Sequence, residues 1–376
     1  MASSTPLDGL LVADLSRVLA GPLVGMTLGD LGADVVKVES PSGDDTRAWG
    51  PPFDAQGRAT YHHAANRNKR SLALDLRDAG DNALARRLCE RADVVIANFR
   101  PGTLERFGLG FDQVSAANAG VVYCEISGFG EGAGRDLPGY DPLVQALGGL
   151  MSVTGPPDAP SKAGVALIDV IAGLYATTAV LAALHERELS GAGQRVTIDL
   201  LHTTLAALAN QATGWLGSGA VPRRLGNVHP SIEPFGPCRA ADGELMVCAG
   251  NDRQFGALAA AIGAPELAGD ERFATNADRV ANREALRPLI EQRLAARTIA
   301  QWEPLLAAAG VPAGPINDVA QAFELAERLG LDAVDEHDGV RTVAFPARLS
   351  RTPATTRRRP PGLDEDGAAL RRWLAG

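Results

Sequence analysis

Cysteine is scarce in this chain. Cys89, Cys124, Cys238 and Cys248 are its only four in 376 residues, and no two of them stand in a CxxC pair. That excludes a disulfide framework and a cysteine-built zinc site, and it points to a reducing, cytoplasmic setting. Histidine is as thin, at six residues, so no metal site is signalled. An excess of positive charge is missing too. The formal net charge is −9, which argues against a general nucleic-acid surface while leaving room for a local basic pocket. The opening stretch, MASSTPLDGLLVADLS, lacks the charged-then-apolar layout of a secretory signal. Nor does GxGxxG follow the first strand-like run; SRVLAGP (16–22) stands there instead. The usual dinucleotide phosphate cradle is therefore absent, which weakens a nicotinamide or flavin reading.

Charge is also missing from residues 163–184 (AGVALIDVIAGLYATTAVLAAL), with one exception, Asp169. An ionised carboxylate in apolar surroundings is costly unless it is paired or hydrogen-bonded. Two readings offset that cost. Asp169 either caps the N-terminus of a buried helix or is a carboxylate nucleophile kept dry for its chemistry. The run is long enough to span a bilayer. A central charge costing about 2.5–3.5 kcal/mol, with Gly173, Thr177 and Thr178, argues against insertion.

What is present is an alternation of short β-rich runs and helical stretches over the first 130 residues. LLVADL (10–15), VVKVE (35–39), SLALDL (71–76), DVVIANF (93–99) and VVYCEISGF (121–129) read as strands, and 21–31 and 78–91 as helices. Apolar runs of this length between helices suit a parallel sheet covered on both faces, an open α/β layer of Rossmann type. Residues 164–211 read as helical around one strand, QRVTIDL (194–200). The expected organisation is a large Rossmann-like domain over 1–216, a Gly/Pro/Arg-rich linker over 217–236, and a smaller α/β domain over 225–325. A segment over 330–376 then returns to the first domain. ELMVCAGN (244–251) reads as a strand, VPAGPI (311–316) as a loop, VRTVAF (340–345) as β-like and RTPATTRRRPP as a solvated linker.

Polar and glycine-rich clusters follow several predicted strands, where ligands bind in open α/β sheets. They are Arg17 to Pro22, Asn98-Phe99-Arg100-Pro101-Gly102 with Arg106 beyond, and Gly128-Phe129-Gly130. Each alone is ordinary loop chemistry. Together, and with Asn66-Arg67-Asn68-Lys69-Arg70, they could hold the phosphates of a nucleotide-like ligand.

In order along the chain stand PLDGLLVADLSRVLAGPL, LGADVVKVESPSGDDTRAWGPPF, NRNKRSLALDL, ANFRPGTLERFGLG, GYDPLVQALGGLMSVTG, GVALIDVIAGLYA, GAGQRVTIDL and VPAGPI. Over residues 6–346 this series resembles family III CoA-transferases, the CaiB/BaiF group. NRNKRS and HPSIEPFG…AGNDRQF look closest to the branch that uses succinyl-CoA and other dicarboxylate donors. The resemblance implies that Asp169 attacks an acyl-CoA thioester, passing through an aspartyl-acyl anhydride and an aspartyl-CoA thioester. It implies CoA contacts at Arg17, Val18, Ala20, Leu74, Arg77, Asn98, Phe99, Arg106 and Tyr140. CoA enters as a substrate, with no tightly bound cofactor and no metal. The other partners it implies are a carboxylic acid and a second copy of the chain, in an interlocked homodimer, with no nucleic acid or membrane. Arg47 and His229 are candidates for recognising the acyl end. Leu19 stands where formyl-CoA transferase has glutamine, and no tetraglycine run is present, which speaks against formyl or oxalyl specificity.

Two alternatives stay open: an α-methylacyl-CoA racemase of the same fold, and a non-catalytic acyl-CoA-binding protein. Racemisation needs an acid/base pair at the thioester's α-carbon. The racemase places His-Asp after the glycine where this chain has Gly139-Tyr140-Asp141, and a glutamate in the segment matching Gly250-Asn251-Asp252-Arg253. A phenol is a poor substitute for imidazole near neutral pH. In heavy water without an acceptor acid, the protein should therefore leave the α-proton of a 2-methylacyl-CoA unexchanged. Mass spectrometry showing rapid deuterium uptake would favour the racemase.

Overall fold

A computed structural model describes residues 5–376; residues 1–4 of the opening stretch lie outside the described residues. The chain forms two compact units. The first comprises Met1–Leu150, Ala163–Ala220 and Gly330–Gly376, and the second Met151–Lys162 and Val221–Leu329.

At the centre of the first unit is a six-stranded parallel sheet. Its strands are β1 (Leu11–Asp14), β2 (Asp34–Glu39), β3 (Lys69–Ala73), β4 (Val94–Ala97), β5 (Val122–Ser127) and β6 (Gln194–Asp199). They lie in the order β3-β2-β1-β4-β5-β6, the doubly wound α/β arrangement read from the sequence. β4 is buried at every residue, while β6, at the sheet's edge, is largely open. The helices along this stretch of chain are α1 (Ala20–Asp30), α2 (Thr60–His63), α3 (Ala79–Arg91), α4 (Phe111–Ala117), α5 (Asp141–Leu147), α6 (Leu150–Val153, mostly in the second unit), α7 (Leu167–Ser190), α8 (Leu200–Ala207) and α9 (Ala209–Ser218). Strand order reverses between β1 and β4, so a crevice opens there at their carboxyl ends.

The apolar run around Asp169 becomes α7. Ile168, Ala172, Ala176 and Val180 are buried in one cluster with Val24 and Leu28 of α1 and Val122, Cys124 and Ile126 of β5. Small residues let the two helices approach: a Cβ on Gly173 would stand 3.0 Å from the Ala20 carbonyl oxygen. On its other side α1 carries Gly21, Gly25 and Gly29 at i, i+4 spacing, one face of a helix. A Cβ at Gly21 would fall 2.3 Å from Ser16 Cβ, and one at Gly25 2.9 Å from Asp14 Oδ2. The glycine stripe leaves space for a layer of buried charge beneath α1.

In that layer, Lys69 Nζ donates to Asp14 Oδ2 (2.7 Å), the Pro22 carbonyl (2.8 Å) and Asn66 Oδ1 (3.0 Å). Lys37 Nζ donates to the Ser16 carbonyl and to Asp44 Oδ2, both at 3.0 Å. Asp14, Lys37 and Lys69 are essentially inaccessible to water. Burial alone would raise the Asp14 carboxyl, but the Lys69 and Lys37 ammoniums outweigh it and hold it below its ordinary value. Burial brings Lys69 down to about 8 against the pull of Asp14.

This layer corrects one expectation. The donors of NRNKR, read as phosphate ligands, are spent inside the protein except for Arg70, which pairs with Asp34 at the surface. Asn66, Arg67, Asn68 and Lys69 are buried, and Arg67 is bidentate to Asp30 at 2.9 and 2.6 Å. SLALDL also starts earlier than read, because the β2 ladder begins with Val35 opposite Lys69.

The second unit has its own core. The antiparallel strands β7 (Phe235–Arg239), β8 (Glu244–Cys248) and β9 (Ala313–Pro315) form its sheet. Around it lie α10 (Asp252–Ala261), α11 (Glu266–Gly269), α12 (Asn276–Ala281), α13 (Arg283–Leu294), α14 (Ile299–Ala308) and α15 (Val319–Arg328). Phe255, Leu258, Phe273, Leu286, Ile290 and Trp302 fill the centre. VPAGPI, expected as a loop, supplies β9; as an edge strand it tolerates its proline.

The tail adds an antiparallel pair, β10 (Val334–His337) and β11 (Val340–Val343), and the final helix α16 (Gly367–Ala375). The segment read as a solvated linker is a strap across the first unit. Arg357 donates to the carbonyls of Gly29 (2.8 Å) and Ala33 (2.9 Å), and Asn68 Oδ1 accepts from the amides of Arg357 and Arg358. Pro360 and Pro361 are buried.

Lys69→Met would strand Asp14 without its nearest counter-charge, a change that costs about 3–5 kcal/mol when one partner of a buried pair is removed. Urea unfolding should register that loss. A change under about 1 kcal/mol would mean that the layer is not electrostatically coupled.

Candidate active site

The crevice begins with the loop after β1. The Ser16 carbonyl is held by Lys37, and the Val18 amide donates to Asp44 Oδ2 at 3.1 Å. Val18 itself has φ +69°, an unusual setting for a β-branched residue and one that persists only where its surroundings impose it. Across the reversal point, Asn98 of the loop after β4 accepts from the Arg17 amide (2.8 Å) and donates to the Arg17 carbonyl (2.6 Å). These paired bonds tie the two loops together. The loop after β5 is closed by a glycine contact: a Cβ on Gly128 would lie 2.5 Å from Gly139 Cα. Only glycine at both positions lets the two backbones meet there.

Asp169 stands at the third residue of α7, and it is not the helix cap. The cap residue is Ala166, which has no side chain for the task. The missing acceptor comes from a distant element. Asp141 Oδ2 accepts from the amides of Ile168 (2.7 Å) and Asp169 (3.2 Å). Asp141 is buried, and its Oδ1 accepts from Gln145 Nε2 at 2.5 Å. The capping reading of Asp169 is thereby corrected: its carboxylate is left over. Burial, with the neighbouring Asp141 carboxylate adding to it, pushes the Asp169 carboxyl up to about 7. A helix N-terminus favours the anion, but here burial and the like charge outweigh it. Burial first, and then Asp169, Asp141 and Asp44, likewise push the Tyr61 phenol up.

A cavity of about 350 Å³ has Asp169 in its wall. Of the residues singled out from sequence, it brings together Arg17, Val18, Ala20, Asn98, Phe99, Tyr140 and Asp169. A neighbouring cavity of about 300 Å³ shares Arg17, Asp45 and Phe99 with it and is lined by Leu74 and Arg77. Together they make a two-chambered site with Asp169 in the wall of the first chamber. Two adjoining chambers give room for an elongated ligand.

Other expected site residues lie elsewhere. Arg106 is exposed in a short turn and lines neither cavity. Arg47 is also absent from both walls: its guanidinium is bidentate to Glu39 at 2.7 Å and donates to the Pro361 carbonyl. Arg77 reaches the second chamber with its guanidinium on Asp75. His229 belongs to the second unit, where Nδ1 accepts from the Ser231 amide and the ring packs edge-on against Phe235. Arg100, named in the loop cluster after β4, lines the first cavity as well; sequence reading passed over Arg135, which lines it too, and the capping role of Asp141. Gln145 one helical turn beyond Asp141 was the available signal. Among the described residues no cluster of three or more His, Cys, Asp or Glu is placed to hold a metal ion.

Comparison with known proteins gives the following. A family model described as CoA-transferase family III matches residues 7–367. A succinate–glutarate CoA-transferase of Agrobacterium fabrum is 44% identical, covering 97% of this chain and 94% of its own length. An acetyl-CoA:oxalate CoA-transferase of Acetobacter aceti is 40% identical, covering 98% and 96%. The crystal structure of a CaiB/BaiF family protein from Brucella suis superposes with a TM-score of 0.90 at 47% identity, covering 99% of this chain and all of that one.

The raised Asp169 carboxyl has a consequence for stability. In the unfolded chain it titrates near 3.8, in the folded protein near 7. The native state therefore holds its proton more tightly, and stability falls as pH rises from the first value to the second. An asparagine in its place imitates the protonated form and escapes that loss. Asp169→Asn should gain on the native protein between pH 5 and 8, by about 2 kcal/mol in all. Thermal melts across that range provide the measurement; a pH-independent difference would show that Asp169 is not desolvated.

Proposed function

This chain belongs to CoA-transferase family III, and on that premise we propose that it moves CoA from succinyl-CoA or another dicarboxylyl-CoA to a free dicarboxylic acid, with Asp169 as the nucleophile. One observation carries the reading. Asp169 lines the cavity at the start of a helix packed on one face into the core, its capping task is taken over by Asp141, and the effects on its carboxyl are burial and repulsion alone. A carboxylate held that way is available for attack.

The steps follow from its chemistry. Ionised Asp169 attacks the thioester carbonyl carbon; the carbon–sulfur bond breaks, giving a mixed anhydride and CoA thiolate. The thiolate attacks Asp169 Cγ and expels the donor acid as its carboxylate, leaving an aspartyl-CoA thioester. The acceptor carboxylate attacks Cγ in turn and releases thiolate. Thiolate then takes the acceptor's acyl group and frees Asp169. Splitting one exchange into such steps is what covalent catalysis supplies. Both intermediates hydrolyse, so the apolar run of chain around Asp169 serves the chemistry as well as the fold.

The names of the relatives support a dicarboxylate as acceptor. The oxalate in the name of one relative keeps oxalate among the candidate acceptors. An obligate, interlocked homodimer belongs to the same reading. Leu174 and Tyr175 on α7 and Trp215 and Leu216 on α9 are exposed apolar groups that a second copy would cover. The four free cysteines suit a reducing cytoplasm.

Asp169→Ala should lower transfer by at least about 1,000-fold while leaving CoA affinity within a few-fold. Hydroxylamine added during turnover should convert Asp169 of the native enzyme to a hydroxamate, read by peptide mass spectrometry. Near-native turnover in the variant removes the nucleophile assignment. A matrix of succinyl-, glutaryl-, acetyl- and oxalyl-CoA against succinate, glutarate, oxalate, acetate and propionate would identify donor and acceptor. Exclusive use of acetyl-CoA with monocarboxylates would overturn the dicarboxylate reading.

A further inference from the structure

The amides at the start of α7 belong to a helix that has no cap of its own. Ala166 occupies the cap position without an acceptor, and the chain meets the deficit from 28 residues away. Asp141 spends one carboxylate oxygen on two amides, those of Ile168 and Asp169. Its second oxygen is held by Gln145. Gln145 is fully buried, and its Oε1 accepts from the Ala163 amide at 2.8 Å. The network therefore reaches the segment leading into α7 at Ala163 and again at Ile168 and Asp169. The backbone of the reacting residue is itself one of the anchored points.

We propose that Asp141 is a positioning residue for the transfer reaction: by fixing the amides of Ile168 and Asp169, with Gln145 as its own support, it holds the Asp169 carboxylate in line with the cavity. The inference rests on Asp169 being the nucleophile. A group that attacks a carbonyl carbon must be aimed, and misplacement by about 1 Å from a change outside the reacting atoms can cost about 100-fold in rate. Surface capping does not need such construction; a serine or aspartate at position 166 would suffice for that. Placing the acceptor on another helix instead locks α5 to α7 at the residue where chemistry occurs.

A second effect comes with the same placement. The two amides that could have steadied the Asp169 anion are taken, and a carboxylate of like charge stands beside it. Asp141 therefore also helps to keep the Asp169 carboxyl high. The other charged or titratable groups around it are Tyr61 and, on the cavity wall, Arg17, Asp45, Arg100, Arg135 and Tyr140.

The test compares Asp141→Ala and Asp141→Asn with the native enzyme and with Asp169→Ala. The readouts are kcat, KM, CoA affinity and the pH profile of kcat/KM. Asparagine keeps an acceptor oxygen for the amides but not the charge. Asp141→Ala should lose about 100-fold in kcat, with CoA affinity within about threefold. Asp141→Asn should recover most of that loss, with its kcat/KM inflection about one unit lower than native. Asp141→Ala turning over at native kcat overturns the proposal. So does Asp141→Asn that is as slow as the alanine variant and has an unmoved inflection. If the alanine variant does not fold, the asparagine variant decides by the same two criteria. Activity in Asp169→Ala would instead strike down the nucleophile reading. A dead Asp169→Ala beside fully active Asp141 variants would strike down only the positioning role.

Discussion

Keeping one carboxylate largely shielded from water is the constraint around which this part of the first unit is arranged. Asp169 lies where its helix enters the core, and the helix carries no other charge until it has left it. Apolar and small residues follow because α7 must press against α1 closely enough to exclude solvent. Gly173 beneath the Ala20 carbonyl marks how close that approach is. Desolvation has a thermodynamic cost, visible as the raised carboxyl. That cost is tolerable for a group meant to react, and it protects intermediates that water would destroy.

Around this point the structure uses buried charge as scaffolding. Lys37 and Lys69 rise from adjacent strands and hold Asp14, Asp44 and the Ser16 carbonyl. Their work is positional. The loop after β1 keeps an unfavourable backbone at Val18 because the Asp44 carboxylate holds its amide and Asn98 holds its neighbour on both sides. Buried pairs of this kind contribute little net stability, but they are costly to break singly. They fix a loop at the strand-order reversal, where a ligand is received, and the glycine stripe of α1 gives them space.

The same logic explains why several basic side chains that looked available are not. Arg67 faces Asp30, Arg47 faces Glu39, and Arg357, Arg358, Arg359 and Arg371 of the tail are tied to carbonyls of the first unit or to acidic neighbours. In a chain with more acidic than basic residues, cations near the sheet find internal partners. Arg100 and Arg135 line the first chamber instead.

How much of this was legible in the sequence depends on the range of the interaction. The parallel sheet was readable, because strands buried on both faces must be short apolar runs and the runs alternate with helical stretches. Asp169 was readable as a lone charge in an apolar segment, and the ordered motifs pointed to the family. The pairing of VPAGPI as an edge strand was not readable, since its partner, β8, is some seventy residues earlier in the chain and a proline argues locally for a loop. Nor was the choice between cap and nucleophile. Asp169 stands near a helix start in either case, and only the arrival of Asp141 from another helix releases it from capping. Local sequence determined which apolar segments build the sheet and the core helix, because their burial follows from each segment's own apolar pattern. Tertiary structure alone decided which charges are consumed and which are left to act, because that depends on which distant side chain arrives first at each donor.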